Sequence, residues 1–200
     1  MTSRAPRYTR LQAADRRAAL IEAALACIAR GGIRSFTVDH ICAEAGVSRG
    51  LITHHFGSMN ALLAAVYSHI YAASTPTLAD LPPDRPAILA LIDHFFAPGI
   101  FNREALNIWL TLWAEISNNP DLKAEHRRQY QSYHAMIARA LADLAASRGR
   151  PLDAPALARS LICLVDGLGL QHCIDPETMP PDTARQACLD LIALHLGPAA

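Results

Sequence analysis

A chain of 200 residues that is 52% apolar is long enough to bury a sizeable core but short for two independent domains. Eighteen basic and eighteen acidic side chains cancel, yet residues 1–60 hold Arg4, Arg7, Arg10, Arg16, Arg17, Arg30, Arg34 and Arg49 against Asp15, Glu22, Asp39 and Glu44, so only this part suits a phosphate-rich partner. No charge-free run of about 18 apolar residues occurs and no apolar core follows the N-terminal arginines, so neither a membrane span nor a signal peptide is expected, and the location expected is cytoplasmic.

Arg4, Arg7 and Arg10 precede any helical pattern and read either as an arm that adds phosphate contacts or as a solvated tail. From Asp15 to Arg30, Ala19, Leu20, Ala23, Ala24, Cys27 and Ile28 form one stripe, stopped by Gly31-Gly32. The segment SFTVDHICAEAGVSRGLITHHF, Ser35 to Phe56, is the most informative in the chain. Val38, Ile41, Cys42 and Ala45 recur at i, i+3, i+4 and i+7, which predicts a helix from about Thr37 to Ala45 with that face buried. Gly46 supplies the residue for a left-handed stop, Val47 plugs the corner and Ser48 is expected to cap the next helix, with Leu51, Ile52 and Phe56 turned inward. Two short helices around one turn, close to a basic N-terminus, read as a DNA-reading helix-turn-helix, in which the start of the second helix meets base edges.

Ser58 is expected to cap a long fourth helix through Leu62, Leu63, Val66 and Ile70 toward Ser74. Pro82, Pro83 and Pro86 lead into a fifth through Ile88, Leu91, Ile92, Phe95 and Phe96, closed by Pro98-Gly99. Asn102 or Arg103 opens the sixth, and Asn119-Pro120-Asp121 reads as cap, first-turn proline and first-turn acid of a long seventh that ends before Gly149 and Pro151. Asp153 and Pro155 start the eighth and Pro180-Pro181-Asp182 the ninth. The expected fold is therefore all-α with about nine helices: residues 1–57 as an N-terminal arm and three-helix DNA-binding domain, and 58–200 as a helical ligand-binding and dimerisation domain.

The last two helices are apolar on more than one face, which fits pairing with their symmetry mates in a homodimer, with an intramolecular core as the other reading. Trp109 and Trp113, i and i+4, share a face and read either as core packing or as walls of a ligand cavity with Phe95, Phe96, Phe101 and Tyr133. Asp166, inside the apolar run LVDGLGL, needs a partner: a cationic ligand, Arg159, or a neighbouring helix end. Gly167 and Gly169 permit close approach of a helix or a ligand. The five cysteines (Cys27, Cys42, Cys163, Cys173 and Cys188) form no C-x-x-C pair, the pattern of reduced buried thiols, with a redox sensor as the minor reading. His54-His55 diverge by about 100° on a helix, His126 and His134 are two turns apart, and H-E-x-x-H, G-x-S-x-G and P-loop patterns are absent, so neither a metal, a cofactor nor an enzyme is expected.

From about Asp15 to Tyr67 the chain resembles the DNA-binding domain of the TetR family of bacterial transcriptional regulators, on TVDHICAEAGVSRGLITHHF followed by Leu62 and Leu63. GLITHHF, ALNIWLTLWAEISNNPDL with its two tryptophans, and LVDGLGL are similar to the choline-responsive BetI branch. The resemblance implies that Thr37 contacts a phosphate, that Ser48, Arg49, Gly50 and Thr53 sit at the major groove of double-stranded operator DNA, and that His54 and His55 reach the backbone. It also implies a homodimer through the last two helices and a small-molecule effector near Phe95, Trp109, Trp113, Tyr133 and Asp166, whose binding releases a repressor from a palindromic operator. Two departures stand out: Gly57, where the BetI branch tends to be basic, and Met59, where many relatives carry lysine. They motivate a second reading, a helical ligand-binding or adaptor protein without specific DNA binding.

Overall fold

The structure, a computed structural model, describes residues 13–197. Among them are nine α-helices, two short 3-10 turns and no strand, the all-α fold expected. The arm containing Arg4, Arg7 and Arg10 lies outside the described residues. Contacts divide the chain into two compact units, one ending at Val66 and the other beginning at Tyr67. Where the sequence reading set its boundary at residue 57, ahead of the fourth helix, the contacts set theirs inside that helix.

In the N-terminal unit, α1 (Ala13–Gly31) buries Leu20, Ala24, Cys27 and Ile28, and packs on α2 (Val38–Ala45), which buries Ile41 and Cys42. Burying each larger aliphatic side chain is worth about 1.5–3 kcal/mol, the main force that fixes these short helices. The Gly31-Gly32 stop leads into a 3-10 turn at Gly32–Ser35, where Gly32 has φ +62°. Next come α3 (Gly50–Phe56) and α4 (Met59–Ser74). Ser58 caps α4 through Ala61 N–H to Ser58 Oγ at 3.0 Å.

The C-terminal unit holds the rest of α4, then α5 (Ala87–Phe95), α6 (Arg103–Ile116), α7 (Pro120–Ser147), α8 (Ala154–Ile174) and α9 (Pro181–Leu196). Side-chain caps start three of them: Asn102 accepts from Ala105 N–H at 2.9 Å, Asn119 from Leu122 N–H at 3.0 Å and Asp153 from Ala156 N–H at 3.0 Å. The core lies between α5, α7, α8 and α9, around Ile88, Leu91, Ile92, Leu141, Leu161 and Ile192. By length and composition α8 is apolar enough to cross a membrane, but it buries Leu157, Ala158, Leu161 and Ile162 in this core. At the α4–α7 contact, Glu125 accepts from Ser68 Oγ, from Gln129 Nε2 at 2.7 Å and pairs with Arg128 Nη2 at 2.5 Å. Burial pushes the Glu125 carboxyl up, but these donors outweigh it and hold the group below its ordinary value.

Candidate functional site

Two places in the molecule gather chemistry, one in each unit. In the N-terminal unit Thr37 is the N-cap of α2 and its hydroxyl accepts from His40 N–H at 3.2 Å. Gly46 ends α2 at φ +64°, ψ +36°, and Val47 N–H returns to the Cys42 carbonyl at 3.0 Å, so the turn needs glycine there. One local expectation fails. Arg49, in helical conformation, stands at the N-cap of α3 without a side-chain cap bond, and Leu51 N–H is met at 3.1 Å by the carbonyl of Ser48. The chain is already helical at Arg49, so the main chain itself supplies the acceptor for which the Ser48 hydroxyl was expected.

Ser48, Arg49, Gly50, Thr53 and His54 are exposed and His55 is half-buried, while Ile52 is buried and Leu51 and Phe56 are half-buried behind them. Positions 49, 50, 53 and 54 share one face of α3 by their spacing of three and four. The rings of His54 and His55 lie edge to face with centroids 5.0 Å apart. Arg17 of α1 places its guanidinium 4.8 Å from the Phe56 ring centroid, which ties α1 to the end of α3. The result is a short helix supported from behind, with small polar groups and one arginine facing outward.

In the C-terminal unit one cavity of about 100 Å³ is lined by Phe95, Trp109, Trp113, Tyr133 and Asp166 together with Tyr71. Trp109 stands edge-on to Tyr71 with centroids 5.0 Å apart, Trp109 and Trp113 are 5.9 Å apart, and Phe95 meets Tyr133 at 5.7 Å. The indoles are half-buried, so they are wall and packing at once. Phe101 also lines the cavity, but Phe96 is buried against Phe101 with ring centroids 4.8 Å apart and does not. Gly169 sits in the lining where a methyl group would come 3.1 Å from Leu106 Cδ2, whereas Gly167 faces open space. Of the two glycines, only Gly169 marks a close approach.

No described residue donates a hydrogen bond to Asp166 or pairs with it, and Arg159 is exposed. Burial alone pushes the Asp166 carboxyl up to about 6, and burial likewise raises Tyr71 to about 12 and Tyr133 well above its ordinary value. An aromatic box with one carboxylate is suited to a small organic cation, because ring faces and carboxylate both attract positive charge. Tyr71 escaped the sequence reading, although Tyr67 and Tyr71 form the same i, i+4 aromatic pair that drew attention to the tryptophans. Among the described residues no group of three His, Cys, Asp or Glu side chains gathers to hold a metal.

Both parts of the chain match known proteins. Residues 20–66 match the family model for bacterial regulatory proteins of the tetR family, and residues 83–197 match that for the C-terminal domain of the BetI-type transcriptional repressor. The chain is 30% identical to the HTH-type transcriptional regulator BetI of Ectopseudomonas mendocina, over 92% of this chain and 95% of the relative. It is 33% identical to BetI 2 of Chromohalobacter salexigens, over 91% and 90%. Among solved structures it is similar to a transcriptional regulator from Pseudomonas aeruginosa PAO1, at 34% identity and a TM-score of 0.80 with 96% and 95% of the two chains covered. A regulator from Saccharomonospora viridis, solved in complex with choline, matches at 26% identity and a TM-score of 0.74, covering 90% and 96%.

Proposed function

The chain belongs to the TetR family of DNA-binding transcriptional regulators, with a BetI-type C-terminal domain, and from that premise we propose that it is a homodimeric repressor released from a palindromic operator by a small organic cation. The observation that carries the effector class is the Asp166 carboxylate, without a partner among the described residues, in a cavity walled by Trp109, Trp113, Tyr71, Tyr133 and Phe95. A quaternary ammonium there replaces lost hydration with ring faces and one counter-charge. The choline bound by the Saccharomonospora viridis relative supports the same class.

On this reading residues 1–57 read DNA and 58–200 bind effector and dimerise. Arg49 and Thr53 contact base edges, Ser48 and Gly50 allow α3 to approach closely, and Thr37, His54 and His55 hold phosphates. The protein carries out binding and conformational coupling rather than catalysis, without a cofactor, on DNA in the cytoplasm. The exposed large apolar side chains of the described residues are Leu170, Ile174 and Leu194, all on α8 and α9, which supports dimerisation through these helices. Two-fold symmetry would set two recognition helices about 34–36 Å apart, one turn of the duplex. The effector lowers operator affinity by favouring a dimer in which that spacing is lost.

The test is selection of operator DNA from a random duplex pool, repeated with choline and with Arg49→Ala. Recovery of a palindrome whose binding choline weakens and Arg49→Ala relaxes is the expected result. A palindrome bound equally well at saturating choline would overturn the effector class and leave the DNA reading intact.

A further inference from the structure

A second cavity adjoins the aromatic one. The two share Tyr71, Trp113, Tyr133 and Asp166 as lining, and the second, of about 480 Å³, extends to Ser117, Lys123, His126 and Tyr130. Their chemistry differs. Among the described residues Asp166 is the only charged one lining the first cavity, whereas Lys123 brings an ammonium group to the second. Lys123 forms no ion pair with a described residue. His126 sits 2.7 Å from the Tyr67 hydroxyl through Nδ1, and burial lowers its pKa, which disfavours the charged ring.

A simple onium ion fills the aromatic cavity and makes no use of Lys123, His126 or Ser117. We infer that the effector is a zwitterion whose cation occupies the aromatic cavity and whose anionic group, a carboxylate or a phosphate, lies in the second cavity beside Lys123 and His126. The inference rests on the onium reading of the first cavity. Charge sets the direction of binding: Asp166 on the shared wall attracts the cation and repels the anion, so the anionic end is driven toward Lys123. A charge-assisted hydrogen bond to that end contributes about 1.5–3 kcal/mol, tenfold or more in affinity.

The test is calorimetric titration of the full chain with tetramethylammonium, choline, glycine betaine and phosphocholine, in the native protein, Lys123→Met and Lys123→Arg. One zwitterion is expected to bind about tenfold or more tightly than tetramethylammonium. Lys123→Met should erase that advantage without changing tetramethylammonium affinity, and Lys123→Arg should keep it. Preference for glycine betaine assigns a carboxylate, and preference for phosphocholine a phosphate. Equal affinities for zwitterions and tetramethylammonium, or a Lys123→Met loss shared by all four, would overturn this inference and leave the onium reading standing. No binding of any of the four, by protein that still binds operator, would overturn both.

Discussion

Arg49 Nη2 at the start of α3 lies 2.5 Å from Asp39 Oδ1 in the first turn of α2. Both side chains are largely exposed, at 73% and 61%, so water screens the pair and it adds little to stability. Its effect is on position: Asp39 holds the guanidinium in place, and on the proposed reading it competes with DNA for it. Arg49→Ala is expected to lose about 1–3 kcal/mol of base discrimination with thermal unfolding unchanged. Asp39→Asn should raise affinity for random DNA and narrow the gap between operator and random sequence. Fluorescence anisotropy with both duplexes at two salt concentrations reads both effects, and an Asp39→Asn protein that discriminates as well as the native one would show that the pair has no role in reading.

The absence of a basic residue at position 57 has a backbone cause. Gly57 caps α3 at φ +77° and ψ −43°, where any side chain is strained although nothing lies within 4 Å of the space it would fill. Gly57→Lys should therefore cost about 1–3 kcal/mol of stability and gain little DNA affinity net of that loss. Met59 carries no such constraint, because it is the first residue of a helix and only half-buried. Met59→Lys is expected to raise DNA affinity and steepen its logarithmic salt dependence by about 1, the signature of one added phosphate contact. Operator titration across salt, with urea denaturation alongside, distinguishes the two variants.

On the proposed reading, Asp166 makes effector binding depend on pH. Its carboxyl titrates near 6 in the fold because burial disfavours the charged form. Since the folded value lies above the unfolded one, the cost to stability is absent below the unfolded pKa of about 3.9 and grows until pH exceeds the folded value. Asp166→Asn should then stabilise the ligand-free protein at pH 7 by at most about 3 kcal/mol and leave it unchanged near pH 3.5. A cationic ligand needs the ionised form, so its affinity should fall about tenfold per unit below pH 6 in the native protein and stay flat in Asp166→Asn. The protein has two tryptophans and both line the cavity, so their own fluorescence reports the titration.

Leu194 is 79% exposed and Ile174 is 68% exposed, and both stand on the helices through which the dimer is proposed. Ile174→Arg together with Leu194→Glu is expected to give a monomer with native helicity and operator affinity lowered at least a hundredfold, since two half-sites are no longer held together. Sedimentation velocity measures the first and anisotropy the second. A double variant that remains dimeric would move the interface elsewhere.

What proved legible in the sequence was whatever is set by neighbours in the chain. Asn102, Asn119, Asp153 and Ser58 were readable as caps because each acts on an N–H three residues ahead. Ser48 was not, because a carbonyl can serve in place of a hydroxyl and either choice suits the same residue types. Phe96 and Phe101 were indistinguishable as letters; both are buried in the core, and only the tertiary packing brings the second to the cavity wall as well. Lys123 carries no signal of its own in the sequence, being one exposed lysine on a long helix. Its meaning comes from sharing a cavity with Asp166, forty-three positions away, a relation that no local pattern encodes.

From Met59 to Ser74, α4 contains no glycine and no proline, so the helix has no built-in joint. Tyr71 and Ser74, near its end, line the aromatic cavity. Sixteen residues at 1.5 Å each make a rod of about 24 Å. A stiff rod acts as a lever: turned by about 10° at one end, it sweeps the other through about 4 Å, comparable to the spacing between neighbouring strands of a sheet. On the proposed reading, such a lever is how a ligand that displaces a single ring would shift a recognition helix out of step with a base pair.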